Sequence, residues 1–366
     1  MQTPDTAHVA SYYAASANPS PTRPALQGET RCDVCVVGAG FTGISAALHL
    51  AERGQQVVVL EAARVGFGAS GRNGGQLVNS YSRDMDVIEA RYGEQTARAL
   101  GDMAFEGNRI IRERIARYDI ACDLKDGNLF AACNAKQMKA LIEHKALWER
   151  YGHERLELLE GQAYRQDIGS ERYVGALLDH SGGHLHPLNL VLGQAAALES
   201  LGGTIHEQTP VDRIEHGEPV RLHTPQGMVV AERVVLAGNA YMKGLLPQME
   251  GKSMPASTQI VTTAPLDAVQ AAGAKDAAHG AADLRRDANG HTAGSHFVGV
   301  AHLDTFHFAP LREIEEVLLG VLAFALGHSS QLESRHEGRR NMKIITGQTE
   351  CVRSSHPYQL ELDEYH

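Results

Sequence analysis

The sequence predicts an α/β fold built around a parallel sheet, and three observations predict it. Residues 32–37 (Cys-Asp-Val-Cys-Val-Val) and 57–60 (Val-Val-Val-Leu) are short apolar runs rich in β-branched residues, the pattern of strands covered on both faces. Between them lie Gly38-Ala39-Gly40-Phe41-Thr42-Gly43 and an alanine-rich stretch with Ile44, Ala47, Leu48 and Ala51 at helical spacing, which Gly54 ends. The second run closes on Glu61, 18 residues beyond Gly43.

Each part of this strand–turn–helix–strand unit has a physical task. Gly38 permits a tight turn, Gly40 lets backbone amides approach a pyrophosphate, and Gly43 lets helix and strand pack closely. The helix N-terminus adds partial positive charge. A carboxylate at the end of the second strand accepts hydrogen bonds from a ribose diol and repels a 2′-phosphate, which disfavours NADP. A lone G-x-G-x-x-G is weak evidence, because a glycine turn also serves packing alone. That reading leaves Glu61 unexplained, and the complete unit points to dinucleotide binding.

The fingerprint does not separate NAD from FAD, but the following segment bears on the choice. Residues 66–76 form a glycine-dense loop that includes Ser70, Gly71, Arg72, Asn73, Gly74, Gly75 and Gln76. A plain nicotinamide dehydrogenase starts its next helix here. The loop instead offers a nest of backbone donors for a second planar or anionic group, against the bland alternative of a surface loop.

At these residues the chain resembles the FAD-dependent amine and amino-acid oxidases of the D-amino-acid-oxidase type, which include glycine and sarcosine oxidases. Residues 11–17 (Ser-Tyr-Tyr-Ala-Ala-Ser-Ala), 32–43, 68–76, 183–191 and 234–241 carry the resemblance, which spans about residues 8–266. It implies FAD as cofactor, with Gly38, Ala39, Gly40, Phe41, Thr42, Gly43 and Glu61 around its ADP half. Ser70, Gly71, Arg72, Asn73, Gly74, Gly75 and Gln76 then line the flavin and pyrophosphate side, with Arg72 and Gln76 nearest the flavin. Val211 falls where a backbone amide and carbonyl meet the adenine, and Ala237, Gly238 and Asn239 fall at a family turn near the cofactor. There Gly238 departs from the family pattern.

The implied fold is a Rossmann-like, glutathione-reductase-type FAD-binding domain (31–85 and 183–245) with an interleaved α+β substrate domain (86–182 and 246–266), preceded by an arm over 1–30. The implied reaction is hydride transfer from the carbon beside an amine nitrogen to the flavin, with dioxygen as acceptor. The partner is a small-molecule amine, and no catalytic residue is assigned. An NAD-linked dehydrogenase is the alternative that the loop at 66–76 argues against.

The remaining elements follow from periodicity. Residues 86–118 read as one or two amphipathic helices, and 122–133 as a hairpin turning at Asp126-Gly127. Residues 135–150 read as a helix carrying Trp148, 173–178 as a strand and 188–201 as a helix ended by Gly202-Gly203. Strands are expected at 205–206 and 211–214, a hairpin through 221–223 and 228–231, and a further strand at 234–237.

The resemblance stops near Leu266. Nine of the nineteen histidines lie in 267–366, where 271–282 is Ala/Gly-rich, 314–326 reads as an apolar helix and 342–346 as a short strand. The fold is therefore expected to be incomplete at its C-terminal end. A shifted reading frame or truncated gene accounts for this better than a divergent module, and a non-catalytic remnant stands as a further alternative.

Composition bounds the rest. At 43% hydrophobic and 21% charged, the chain has ample core material, and a net charge of −10 without a basic run gives nucleic acid no foothold. There is no apolar run of membrane-spanning length. Five cysteines, few and odd in number, suggest a reducing, cytoplasmic setting. Cys32 and Cys35 are expected on opposite strand faces as core residues, and His184-x-His186 lacks the partners of a zinc site. No metal is expected.

Overall fold

A computed structural model describes residues 6–81, 83–161, 163–166, 171–242, 244–247 and, as backbone alone, 342–344. The elements in order are α1 (Tyr12–Ala15), β1 (Gly28–Val37), α2 (Phe41–Ala51), β2 (Val57–Leu60), β3 (Gln76–Leu77), α3 (Met85–Tyr92) and α4 (Glu94–Arg117). There follow β4 (Lys125–Ala132), α5 (Ala135–Arg150), β5 (Leu156–Glu160), β6 (Gly175–His184) and α6 (Pro187–Ser200). The rest are β7 (Thr204–His206), β8 (Arg213–Glu215), β9 (Val220–His223), β10 (Gly227–Leu236) and β11 (Met342–Ile344).

The first sheet runs β7-β2-β1-β10-β9-β8, with β11 also along β10. β1 pairs in parallel with β2 and with the whole of β10. The first half of β10 pairs antiparallel with β9 and its second half parallel with β11, so one strand joins a meander to a parallel sheet. Alternation along β2 divides the core. Val57 and Val59 face α2 and α6, packing with Ile44, Ala47, Leu48, Val191, Ala195 and Leu198. Val58 and Leu60 face the other way, with Cys35, Val37, Leu222 and Leu236. The parallel sheet thus buries both faces, as its continuous apolar runs require.

In the second sheet β6 is central and pairs antiparallel with β4 on one side and with β5 and β3 on the other. Its link to the first sheet is short. α6 follows β6 directly, capped by His186, whose Nδ1 accepts the Asn189 N–H at 3.1 Å, and then packs on α2.

Several expectations are corrected. Residues 122–133 form no hairpin. Asp126-Gly127 lies inside β4, where the register against β6 slips between Asp126 and Asn128, so the turn-like dipeptide makes a bulge. The expected strands at 228–231 and 234–237 are one strand, β10, interrupted only in its burial by exposed Glu232 and Arg233. The strand expected at 173–178 starts at Gly175 and continues to His184, and β5 was not anticipated. Cys32 and Cys35 are both free and buried in one apolar cluster, so alternation does not place them in separate cores. The expectations for 267–366 lie outside the described residues, except that β11 coincides with the strand expected at 342–346.

Candidate functional site

The C-terminal ends of β1, β2 and β10 converge on the glycine turn. Gly38 has φ +101°, and a Cβ there would stand 2.7 Å from the Ala237 carbonyl oxygen at the end of β10. The Ala237 N–H in turn donates to the Val37 carbonyl at 2.8 Å. At Gly43 a Cβ would come within 1.8 Å of the Gly38 carbonyl oxygen, so only glycine lets α2 start this close to β1.

Glu61 closes the same turn from β2. Its Oε2 accepts the Ala39 N–H at 2.7 Å and its Oε1 the Ala63 N–H at 2.8 Å. Burial pushes its pKa up, while the hydrogen bonds from Ala39 and Ala63 work in the other direction. One acidic side chain therefore ties the glycine turn to the segment after β2 and keeps lone pairs for hydroxyl donors.

The loop at 66–76 folds back over this turn. The Gly66 N–H donates to the Ala39 carbonyl at 2.9 Å, and Ser70 Oγ accepts the Phe41 N–H at 2.9 Å. A Cβ on Gly40 would lie 2.8 Å from Ser70 Oγ, so the cradle has no room for a side chain. The Gly40 carbonyl takes the Ile44 N–H at 2.9 Å, which leaves the Thr42 and Gly43 N–H groups without a hydrogen-bond partner among the described residues. A turn without a Cβ at Gly38, Gly40 and Gly43, spare N–H groups at the start of an 11-residue helix and a carboxylate at the neighbouring strand end fit the pyrophosphate and ribose of a dinucleotide.

The other predicted residues take varied places. Arg72 is held by its own loop, donating from Nη2 to the Phe67 carbonyl at 2.7 Å with its guanidinium 5.2 Å from the Phe67 ring centroid. Asn73 donates to the Ser70 carbonyl at 3.0 Å and accepts the Gly75 N–H at 2.8 Å, bracing the half-buried Gly74 between them. Gly71 is buried beneath the Gly66 carbonyl, and exposed Gln76 begins β3 opposite His184. Val211 lies two residues beyond Thr209, whose N–H donates to the Glu61 carbonyl at 2.8 Å. Gly238 packs against Met242, and Asn239 stands next to it with φ +49°.

Glu207 was missed by sequence reasoning. It follows β7 as Glu61 follows β2, and its Oε1 accepts the Val65 N–H at 2.9 Å. An acid directly after a short β-branched run was the available signal.

This architecture is that of a flavin-type dinucleotide fold, and a model for FAD-dependent oxidoreductases (DAO) matches residues 33–338. The chain belongs to that family, and the match runs past Leu266. It is 57% identical over 259 residues to gamma-glutamylputrescine oxidoreductase of Escherichia coli (strain K12), covering 70% of this chain and 61% of that protein. It is 43% identical over 265 residues to the probable oxidoreductase OrdL of Haemophilus influenzae, covering 71% and 62%. The chain spans about three-fifths of the length of these curated relatives. Among solved structures, glycine oxidase from Geobacillus kaustophilus shares the fold, with a TM-score of 0.56 at 20% identity over 87% of this chain and 90% of that one.

Proposed function

We propose that the chain binds FAD at the glycine turn and serves the oxidation of a small amine of the gamma-glutamylputrescine kind. The observation that carries this reading is the three-way closure of the site. Glu61 lies 2.7 Å from the Ala39 N–H, Ser70 lies 2.9 Å from the Phe41 N–H, and spare N–H groups remain at the start of α2. Glu61 takes the ribose hydroxyls, and Thr42 and Gly43 direct their N–H groups to the pyrophosphate. The backbone from Ser70 to Gln76 lies along the flavin, and the residues near Val211 meet the adenine.

Bound FAD supplies an acceptor for the hydride on the carbon beside the amine nitrogen, with dioxygen as the final oxidant. The chain's share is to hold, orient and shield. Arg72 and Asn73 spend their donors on carbonyls of their own loop, so they shape the wall beside the flavin. No general base is needed if the amine arrives neutral. In this reading the first sheet with α2 and α6 is the cofactor unit, and the second sheet with α3 to α5 is part of the substrate unit. The identity to the E. coli enzyme supports the amine class.

The test is anaerobic mixing of the FAD-loaded full chain with gamma-glutamylputrescine. Bleaching of the flavin absorption, restored by air, is expected. A stable yellow protein that gamma-glutamylputrescine leaves unbleached overturns the substrate assignment. A protein that retains NAD and excludes FAD overturns the cofactor assignment.

A further inference from the structure

The N-terminal arm reaches the cofactor turn through one buried arginine. Arg23 has a side chain only 3% exposed and holds both oxygens of Glu199 on α6, at 2.7 Å from Nε and 2.8 Å from Nη2. Its Nη1 lies 3.6 Å from Glu207 Oε1, the same oxygen that accepts the Val65 N–H. The Glu207 side chain is 7% exposed, and its second oxygen is 3.9 Å from Arg64. Arg23 is thus the more deeply buried of the two cations facing this carboxylate. Three residues on, the Leu26 N–H donates to Thr209 Oγ1 at 3.1 Å, and that hydroxyl donates to the Glu207 carbonyl at 2.8 Å.

The segment so gripped is the brace of the Glu61 turn. The Glu61 N–H donates to the His206 carbonyl at 2.9 Å, the Gln208 N–H to the Ala63 carbonyl at 2.9 Å and the Thr209 N–H to the Glu61 carbonyl at 2.8 Å. Gln208 sits at φ +50°, a conformation that a non-glycine residue keeps only where its surroundings impose it. Residues 61–65 therefore hang on 206–209, and 206–209 are clamped by the arm.

We propose that Arg23 is a positioning residue for the adenosine end of the cofactor: it fixes the Glu207 carboxylate on the Val65 N–H and so sets where the Glu61 carboxylate stands. The proposal rests on the assignment of FAD to this site. Loss of Arg23 leaves the buried Glu207 carboxylate with the partly exposed Arg64 as its one remaining arginine, 3.9 Å away, and the cheapest relief is for Glu207 to swing out towards Arg64 and release Val65.

The test compares the full chain with Arg23→Gln, Glu207→Gln and the double variant, by FAD titration of the apoprotein and by hydrogen exchange. Arg23→Gln is expected to raise the FAD Kd at least tenfold. It should also speed exchange in the 61–66 segment of the apoprotein, while exchange in the middle of α2 is unchanged. Because Arg23 acts through Glu207, the double variant should bind no more weakly than Arg23→Gln alone. Arg114→Gln, which removes another buried arginine, controls for general loosening and should leave the Kd within twofold. An Arg23→Gln Kd within twofold of the parent, or unaltered exchange at 61–66, overturns the proposal. Additive effects in the double variant overturn it as well. If Arg23→Gln does not fold, Glu207→Gln with Arg23→Lys carries the same comparison, with Arg23→Lys expected to weaken FAD binding. A parent chain that binds no FAD overturns the cofactor assignment, whereas unaltered 61–66 exchange in the apoprotein counts against the arm alone.

Discussion

Glu61 carries two opposed demands. Burial favours its protonated form, and the N–H groups of Ala39 and Ala63 favour the carboxylate, with burial the larger influence. Its folded pKa lies above the ordinary 4.5, so its contribution to stability is present below that value and lost as the pH rises through the folded value. Ribose hydroxyls donate best to the ionised form. FAD affinity should therefore rise across the same interval in which the apoprotein loses stability, and a Glu61→Gln variant should show neither trend. Parallel pH series of Kd and urea midpoint check this. Gly43 gives a second prediction at the same scale. With the Gly38 carbonyl 1.8 Å from any Cβ, Gly43→Ala forces α2 away from β1. The expected cost is about 3 kcal/mol in urea unfolding, at the upper end for overpacking a tight site.

Between elements, the contact of α4 with α2 depends on a buried ion pair. Arg114, with its side chain 4% exposed, lies 3.0 Å from Glu52 Oε2 and donates to Ser45 Oγ at 2.8 Å. Burial alone raises the Glu52 pKa, but the bonds from Arg114 and Tyr118 and the charge of Arg117 outweigh it and hold the group below 4.5. The contribution is therefore present above pH 4.5 and lost as the pH falls through the lower folded value. Arg114→Leu should cost about 1–3 kcal/mol, because it removes the buried donor to Glu52 and Ser45 while Arg117 and Tyr118 stay beside the carboxylate. The same variant should flatten the acid limb of the stability curve. Trp148, buried on α5 as the chain's one tryptophan, reports that unfolding by its fluorescence.

How far the elements were legible depends on which signals were local. β1, α2 and β2 show their burial in their own residues, and the glycines and Glu61 mark the turn they share. β4 was misread because Asp126-Gly127 is good turn chemistry that pairing with β6 turned into a bulge. β10 was split because Glu232 and Arg233 interrupt its apolar pattern, yet β1 beside it holds the strand continuous. Arg23 and Glu207 stayed hidden for a different reason. They lie 184 residues apart, and only the fold shows that one braces the other.

For the molecule as a whole, the cofactor loop runs straight into β3 of the second sheet, so the loop and that sheet are joined by the chain itself. Asn79, just beyond β3, donates to Ser181 Oγ at 2.7 Å and to Asp179 Oδ2 at 3.2 Å, and accepts from Asn108 on α4 at 3.0 Å. His153 stands 3.2 Å from Asp179 in the same buried network. Ligand binding at the glycine turn should therefore stabilise the whole molecule. At a hundredfold excess over Kd the gain is about 2.7 kcal/mol, read as a higher Tm.

FAD titration of the 366-residue apoprotein, set beside the Glu61→Arg variant, tests the central claim most directly. The parent should bind FAD at one site, quench its fluorescence and melt at a higher temperature. The variant, which loses a charged hydrogen-bond acceptor worth about 1.5–3 kcal/mol, should bind roughly ten- to a hundredfold more weakly. Equal FAD binding by both proteins, or by neither, would contradict the assignment of the glycine turn and Glu61 to the cofactor.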